Sequence, residues 1–347
     1  MTKVCKYLLE DISFTPNSIV PCGSSVWNSD ENLKKYFLKV DSTDNIIDFK
    51  YYFDKRMMYI QQFLNGKKPV FCENCQKYMP IELDLLESKF KKLNIYNRTQ
   101  CNCRCIYCCL ADYGNIDSFK KINEREFYDI KPILKKIDEL NMIEEGVEIA
   151  IWGGECTVYP DELKYIIDWG NKYKAKFIIL SNEIIYNKDI ENLLSNGCIE
   201  LRFSLDAGSK KLYEKIKRAK VYDIVHSNII KYKKASEMNN NAKIQLRYIL
   251  CPSINTRIDE IDKFLNFAQM INASNVVLSI DRRWMQLNSK KKVPFSLRKS
   301  IKYFLNSPKY EKLCRSVDSC EIWDWWLNQI LNEKTLFEKV KGIFIKK

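Results

Sequence analysis

The sequence predicts an α/β fold built on a parallel sheet, and three observations carry that prediction. From residue 93 onward, short apolar runs alternate with amphipathic segments, the pattern of repeated βα units. Six such units can be counted, fewer than the eight of a closed barrel. The 347 residues, 46% of them hydrophobic, suffice to bury a full core in one large domain or two.

The region 1–92 lacks the βα rhythm and carries Cys5, Cys22, Cys72 and Cys75. Within it, 12–15 and 18–21 read as two short strands around a Pro16-Asn17 turn. The six apolar runs that follow, at 93–96, 147–152, 177–180, 199–205, 244–250 and 276–280, are the predicted strands. Helices are predicted at 124–140, 161–173, 189–194, 221–236, 258–270 and 295–305. The 221–236 helix shows its buried stripe as Val225, Ile229 and Tyr232. The tail beyond Tyr310 holds Cys314, Cys320 and an aromatic-rich helix striped by Ile322, Trp326 and Ile330, with Trp323, Leu327 and Leu331 beside them. Such a stripe packs against a core. The expected division is therefore 1–92, a cysteine-rich domain; 93–310, the βα core; and 311–347, a helical tail.

Fourteen cysteines in tight groups, with no N-terminal stretch of secretory type, point to a reducing cytoplasmic setting in which thiols meet metal. No apolar run approaches the length that spans a bilayer, so no membrane partner is expected. The net charge of +13 admits nucleic acid or an acidic substrate as a partner. Only 12 of the 57 basic residues are Arg, however, and the runs at 231–234 and 290–292 lack the interleaved aromatics of a nucleic-acid groove. Nucleic acid is therefore disfavoured.

The most informative segment is Thr99-Gln-Cys101-Asn-Cys103-Arg-Cys105-Ile-Tyr107-Cys108-Cys109. Cys101, Cys105 and Cys108 form a Cys-x3-Cys-x2-Cys run with an aromatic residue before the last thiol, and no other three of its cysteines give that spacing. Three close thiolates can hold a cubane iron–sulfur cluster while leaving one iron open for chemistry. Zinc is the alternative, since Cys105 with Cys108, or Cys72 with Cys75, has zinc-like spacing. The run resembles the signature of the radical S-adenosylmethionine (radical SAM) enzymes. The resemblance covers about 93–305 and implies a partial (β/α)6, TIM-like barrel. It also implies a 4Fe-4S cluster on these three thiols and S-adenosylmethionine bound at the open iron. Hydrogen abstraction from a substrate by a 5′-deoxyadenosyl radical follows from it, as does a reducing partner such as a flavodoxin or ferredoxin.

The reactive groups of parallel barrels gather at the C-terminal strand ends, where further residues match the family. Trp152-Gly153-Gly154-Glu155 ends the second strand, and two glycines there open the backbone to a ligand. This resembles the motif that receives the amino group of S-adenosylmethionine. Cys156 stands where the family often has Pro, and Thr157 follows. Ser181-Asn182 ends the third strand. Ser204 and Asp206 end the fourth, on one side by alternation and within reach of a ribose or substrate hydroxyl. The cation expected to pair with the methionyl carboxylate is Lys217, with Arg218 as its rival. Arg247 within the fifth strand must face a polar lumen or an acidic partner, and Asp281 with Arg282 ends the sixth. Tyr107 completes the expected cofactor pocket. His226, the only histidine, sits beside an apolar stripe and reads as structural, which disfavours chemistry on a histidine base.

Cys5, Cys22, Cys72 and Cys75 are expected to bind a second, fully ligated 4Fe-4S cluster. Zinc on the same four thiols is one alternative, and Cys314 or Cys320 in place of Cys5 is another. A peptide, a carbohydrate and a nucleotide conjugate all remain open as the substrate. The reading from a different class is a zinc- or iron–sulfur-stabilised nucleic-acid-binding protein; an electron carrier would scarcely need six βα units.

Overall fold

The computed structural model describes residues 3–16, 18–20, 38–39, 49–72, 78–82, 89–108, 127–281, 284–285, 288 and 294–317. The chain divides into two compact units, one of residues 1–101 with 123–180 and one of 102–122 with 181–347.

The first unit contains β1 (Lys3–Cys5), α1 (Lys6–Glu10), β2 (Asp11–Thr15), β3 (Ser18–Val20), β4 (Leu38–Lys39), α2 (Phe49–Leu64), β5 (Pro80–Glu82), β6 (Phe90–Ile95), α3 (Lys131–Glu139), β7 (Ile143–Ile151), α4 (Pro160–Asn171) and β8 (Lys176–Ser181). Its strands run in the order β8-β7-β6-β2-β3-β4. β2, β6, β7 and β8 are parallel, whereas β3 and β4 continue antiparallel. The register aligns Phe14 with Ile95, Ile95 with Ile151, and Ile151 with Ile179. All four are buried, and with Leu93, Ile149 and Phe177 they form one apolar layer. Leu163, Ile166 and Ile167 of α4 are buried too, at helical spacing.

The predicted hairpin at 12–21 is β2 and β3, and β2 pairs with β6 from Asp11↔Lys92 to Phe14↔Ile95. The boundary drawn at 92 therefore passes through β6. The helix expected from 124 instead starts at Lys131. Pro132 lies in its first turn, where a residue without an N–H is tolerated. α2 was not predicted; its exposed Tyr51, Met57 and Met58 blur any apolar stripe. β1 and β5 form a separate antiparallel pair with Cys5 opposite Pro80. They cover a small core in which Cys5 and Cys72 are buried together with Val4, Leu8, Leu9, Tyr59, Ile60 and Phe63. The Arg56 guanidinium donates to the carbonyls of Leu8 (2.9 Å) and Leu9 and lies over the Phe90 ring, fastening α2 to α1 and β6.

The second unit contains α5 (Lys188–Ser195), β9 (Ile199–Ser204), α6 (Lys210–Lys217), α7 (Tyr222–Ser236), β10 (Lys243–Leu250), α8 (Ile258–Met270), β11 (Asn275–Ile280), α9 (Phe295–Asn306) and β12 (Arg315–Val317). Its strands are parallel throughout, in the order β12-β11-β10-β9. Val225, Ile229 and Tyr232 of α7 are buried as their spacing predicts. Asp262 on α8 accepts from Tyr303 of α9 at 2.5 Å and from Tyr310 at 2.7 Å, which pins the chain leaving α9.

β6, β7 and β8 in the first unit and β9, β10 and β11 in the second are the six predicted core strands. Each begins within four residues of its expected start. The tail stripe from Ile322 to Leu331 and the residues Cys22, Cys75, Arg282 and Cys320 lie outside the described residues. Among the described residues, no helix is long and apolar enough to cross a membrane.

Candidate active site

The predicted residues fall into two groups, one in each unit. In the first unit, β6 delivers the chain to Asn97 and Arg98. Arg98 donates twice to Glu162 of α4, from Nε at 2.6 Å and Nη2 at 2.7 Å, and Asn97 Nδ2 adds a bond at 3.3 Å. The guanidinium lies between the rings of Phe127 (3.6 Å) and Tyr159 (3.9 Å). A forked, stacked arginine of this kind fixes backbone direction, and the chain it directs is Thr99, Gln100 and half-buried Cys101. Sequence reading missed this clamp; an arginine at a strand end and an acidic residue in the first turn of a later helix were the available signals.

Gly153 and Gly154 follow β7 with φ of +89° and +56°, values that favour glycine. A Cβ at Gly154 would lie 2.8 Å from the Thr99 carbonyl carbon and closer still to the Gln100 carbonyl oxygen. Two glycines were expected to open the backbone to a ligand; the nearest obstacle to a side chain at Gly154 is the chain's own backbone leading to Cys101. The Glu155 amide donates to the same Gln100 oxygen at 2.8 Å. Its buried carboxylate accepts from the Thr157 amide at 3.1 Å and hydroxyl at 2.7 Å, capping the short turn at Cys156–Val158. Tyr96 stacks on Trp152 with ring centres 4.8 Å apart. It closes on Gly153, where a Cβ would strike the ring.

In the second unit, the loop carrying Cys105 and Cys108 is docked on the end of α6. The Arg104 amide donates to the Lys217 carbonyl at 3.1 Å and the Ile106 amide to the Ile216 carbonyl at 3.0 Å. These carbonyls lack intrahelical partners because the helix ends there, so the loop satisfies them. Lys217 Nζ donates to Tyr107 Oη and to Asp206 Oδ2, both at 2.6 Å, and Tyr107 also donates to Asp206. Lys217 is 2% and Asp206 0% exposed, so this is a fully buried ion pair. Asn102 and Asn182, both in the second unit, join through their side chains at 2.6 Å. Ser204 stands opposite Arg247 across β9 and β10, both half-buried, while Arg218 is exposed. Asp281 is buried after β11 and its Oδ1 accepts from the Trp284 amide at 3.4 Å.

The electrostatics follow from burial around this pair. A hydrogen bond with Cys103 pulls the Cys105 thiol down to about 7; burial opposes the shift and the Lys217 ammonium assists it. Burial works against the Lys217 charge, but Asp206 and Cys105 hold it above the ordinary lysine range. Burial and Asp206 raise Tyr107 well above its usual value, keeping the phenol protonated. The donor set suits an iron–sulfur cluster: Cys101, Cys105 and Cys108 are half-buried thiols at fixed spacing, and Cys105 is already biased toward thiolate. Among the described residues, no three His, Cys, Asp or Glu side chains are gathered into a preformed metal cage. Cys5 and Cys72 belong to their own small core in the first unit, and Cys314 is exposed.

Residues 99–263 match the family model described as the Radical SAM superfamily. GTP 3′,8-cyclase of Synechocystis sp. is 25% identical over 195 residues, 55% of this chain and 55% of that protein, so the match spans just over half the length of the curated relative. The structure of Streptococcus suis SuiB bound to the precursor peptide SuiA superposes with a TM-score of 0.52 at 15% identity, covering 85% of this chain and 70% of that one. SuiB bound to S-adenosylmethionine gives 0.50 at 14% identity, covering 80% and 58%. At these identities the likeness is one of fold, and it agrees with the α/β class and the mostly parallel strands described above. The three-thiol run lies inside the matched residues, so the stretch 99–263 is the part of the chain that matches the radical SAM superfamily.

Proposed function

We propose that the protein is an enzyme that reductively cleaves S-adenosylmethionine at a 4Fe-4S cluster held by Cys101, Cys105 and Cys108, and abstracts hydrogen from a substrate. The observation that carries this reading is the single Cys-x3-Cys-x2-Cys register inside residues 99–263, which match the superfamily model. When bound, the cluster supplies the electron that converts S-adenosylmethionine to methionine and a 5′-deoxyadenosyl radical. The chain's own residues orient and shield. Gln100 and Glu155 fix the approach to Cys101, Lys217 offers a cation to the methionyl carboxylate, and Asn182, Ser204 and Arg247 supply polar groups at the strand ends. Arg218, the rival cation, is exposed at the residue that follows α6.

The substrate is a peptide, a carbohydrate or a nucleotide conjugate. SuiB is seen with its precursor peptide, and the cyclase relative is named for a nucleotide reaction. An electron donor such as a flavodoxin or ferredoxin and a cytoplasmic setting complete the reading. Cys5, Cys22, Cys72 and Cys75 hold an auxiliary 4Fe-4S cluster in the N-terminal part. Its support is that Cys5 and Cys72, 67 positions apart in the chain, are buried in one small core.

Anaerobically reconstituted protein supplied with dithionite and S-adenosylmethionine should release 5′-deoxyadenosine. The triple variant Cys101→Ala, Cys105→Ala, Cys108→Ala should release none, and undiminished release by that variant would overturn the assignment.

A further inference from the structure

Asp206 occupies an unusual place for a residue at a strand end. Its φ is +60°, in the left-handed region that Asp and Asn tolerate better than most residues, so the chain turns sharply as it leaves β9 and the carboxylate folds back into the unit. Both carboxylate oxygens are engaged. Oδ1 accepts from the Ile249 amide at 2.6 Å, and Oδ2 accepts from Lys217 Nζ at 2.6 Å and from the Tyr107 hydroxyl. Its carbonyl accepts from Asn255 Nδ2 at 2.8 Å. Asn255, itself 0% exposed, also donates to the Ile249 carbonyl at 2.8 Å and accepts from the Cys251 amide at 2.6 Å. Three chain segments therefore converge on the Asp206 carboxylate, the cluster loop through Tyr107, α6 through Lys217 and β10 through Ile249, and the turn after β10 holds its backbone carbonyl through Asn255.

Asp206 is thus not available to a ribose or substrate hydroxyl as its strand alternation suggested. We infer that it is a positioning residue, which holds the Lys217 ammonium and the Tyr107 ring in the fixed relation that S-adenosylmethionine binding requires. The inference rests on the proposed function. An ammonium has three N–H donors. Two are committed, to Tyr107 and Asp206, which leaves one of fixed direction for the cofactor's carboxylate. Lys217 ends α6, where the helix dipole favours a cation. The same helix end receives the amides of Arg104 and Ile106, so the cation and the loop bearing Cys105 and Cys108 share one support. Without the Asp206 carboxylate the ammonium loses its direction, and Tyr107, the residue before Cys108, loses its acceptor.

The test uses Asp206→Asn, which preserves shape and suits the left-handed backbone, and the double variant Asp206→Asn, Lys217→Met, which removes both charges. Reconstituted proteins are compared by iron content, thermal melting, S-adenosylmethionine affinity by equilibrium dialysis, and the change in the reduced cluster's paramagnetic spectrum on adding S-adenosylmethionine. Asp206→Asn leaves Lys217 as an uncompensated buried charge and should lower the melting temperature; the double variant should recover most of that loss. Affinity per cluster should fall about tenfold or more in both variants, the scale of losing one charge-assisted hydrogen bond. The spectral response should shrink with it. Asp206→Asn binding as tightly as the unaltered protein would overturn the inference, as would a double variant that regains affinity together with stability. Failure of the unaltered protein to bind S-adenosylmethionine would overturn the proposed function as well, which separates the two failures.

Discussion

Replacing Gly154 by alanine places a methyl group against the backbone that leads to Cys101, and the structure supplies an internal reference for its effect. Gly154 and Gly146 both have positive φ, +56° and +80°, so alanine is strained at either position. That strain costs about 1–2 kcal/mol. A Cβ at Gly146 meets nothing within 4 Å, so Gly146→Ala isolates the backbone term. At Gly154 the added Cβ would lie 2.8 Å from the Thr99 carbonyl carbon. Relief to an ordinary carbon–carbon separation of about 3.5 Å needs a shift of roughly 0.7 Å. Both obstructing groups are backbone, and the Gln100 oxygen also accepts the Glu155 amide at 2.8 Å, so the shift strains that bond. Overpacking adds about 1–3 kcal/mol and a weakened hydrogen bond about 0.5–1.5 kcal/mol. Gly154→Ala should therefore be less stable than Gly146→Ala by about 2–4 kcal/mol in urea unfolding followed by circular dichroism. It should also retain less iron after reconstitution, because the displaced segment presents Cys101. Equal destabilisation of the two variants, with equal iron, would refute the reasoning and return Gly154 to the role of an opening for ligand.

Two further outcomes are expected. His226 lies between the rings of Tyr222 and Phe267, with centres 4.0 and 4.2 Å away, and burial pushes it down to about 4 against the pull of Asp223. The unfolded chain then binds a proton that the folded one refuses, so this group's contribution is complete above about pH 6.5 and is lost as pH falls from there toward 4. Unfolding midpoints compared at about pH 7 and pH 5 should diverge less in His226→Phe than in the unaltered protein; equal divergence would remove His226 as the cause. For the auxiliary site, the Cys101, Cys105 and Cys108 triple variant should keep about four irons and a cubane-type paramagnetic signal, and adding Cys72→Ala should abolish them. Iron-free protein carrying one zinc would refute the second cluster.

Period-based reading recovered the six core strands because each is a compact apolar run that must be buried, as the layer of Leu93, Ile149 and Phe177 shows. It recovered α7 because Val225, Ile229 and Tyr232 fall on one helical face. α2 escaped for the opposite reason. Its buried residues Tyr52, Tyr59, Ile60 and Phe63 are interleaved with exposed Tyr51, Met57 and Met58, and Arg56 is buried by capturing carbonyls, which no hydropathy pattern encodes. The pairing of β2 with β6 was equally hidden, since strand order depends on contacts about 80 positions apart.

The site shows the same limit more sharply. Sequence singled out Tyr107, Asp206 and Lys217, but it aimed all three at a ligand, because a motif identifies residue types and not their partners. Burial changes that reading. A lysine at 2% exposure and an aspartate at 0% are stable only when each compensates the other, so their first obligation is mutual and any ligand must use the capacity that remains. The same physics separates the settings of Lys217 and Arg218. α6 ends at Lys217, and Arg218 takes the left-handed conformation, φ +52°, that terminates the helix and turns its side chain to solvent. The buried position goes to the residue still inside the helix, where Asp206 and Tyr107 can reach it.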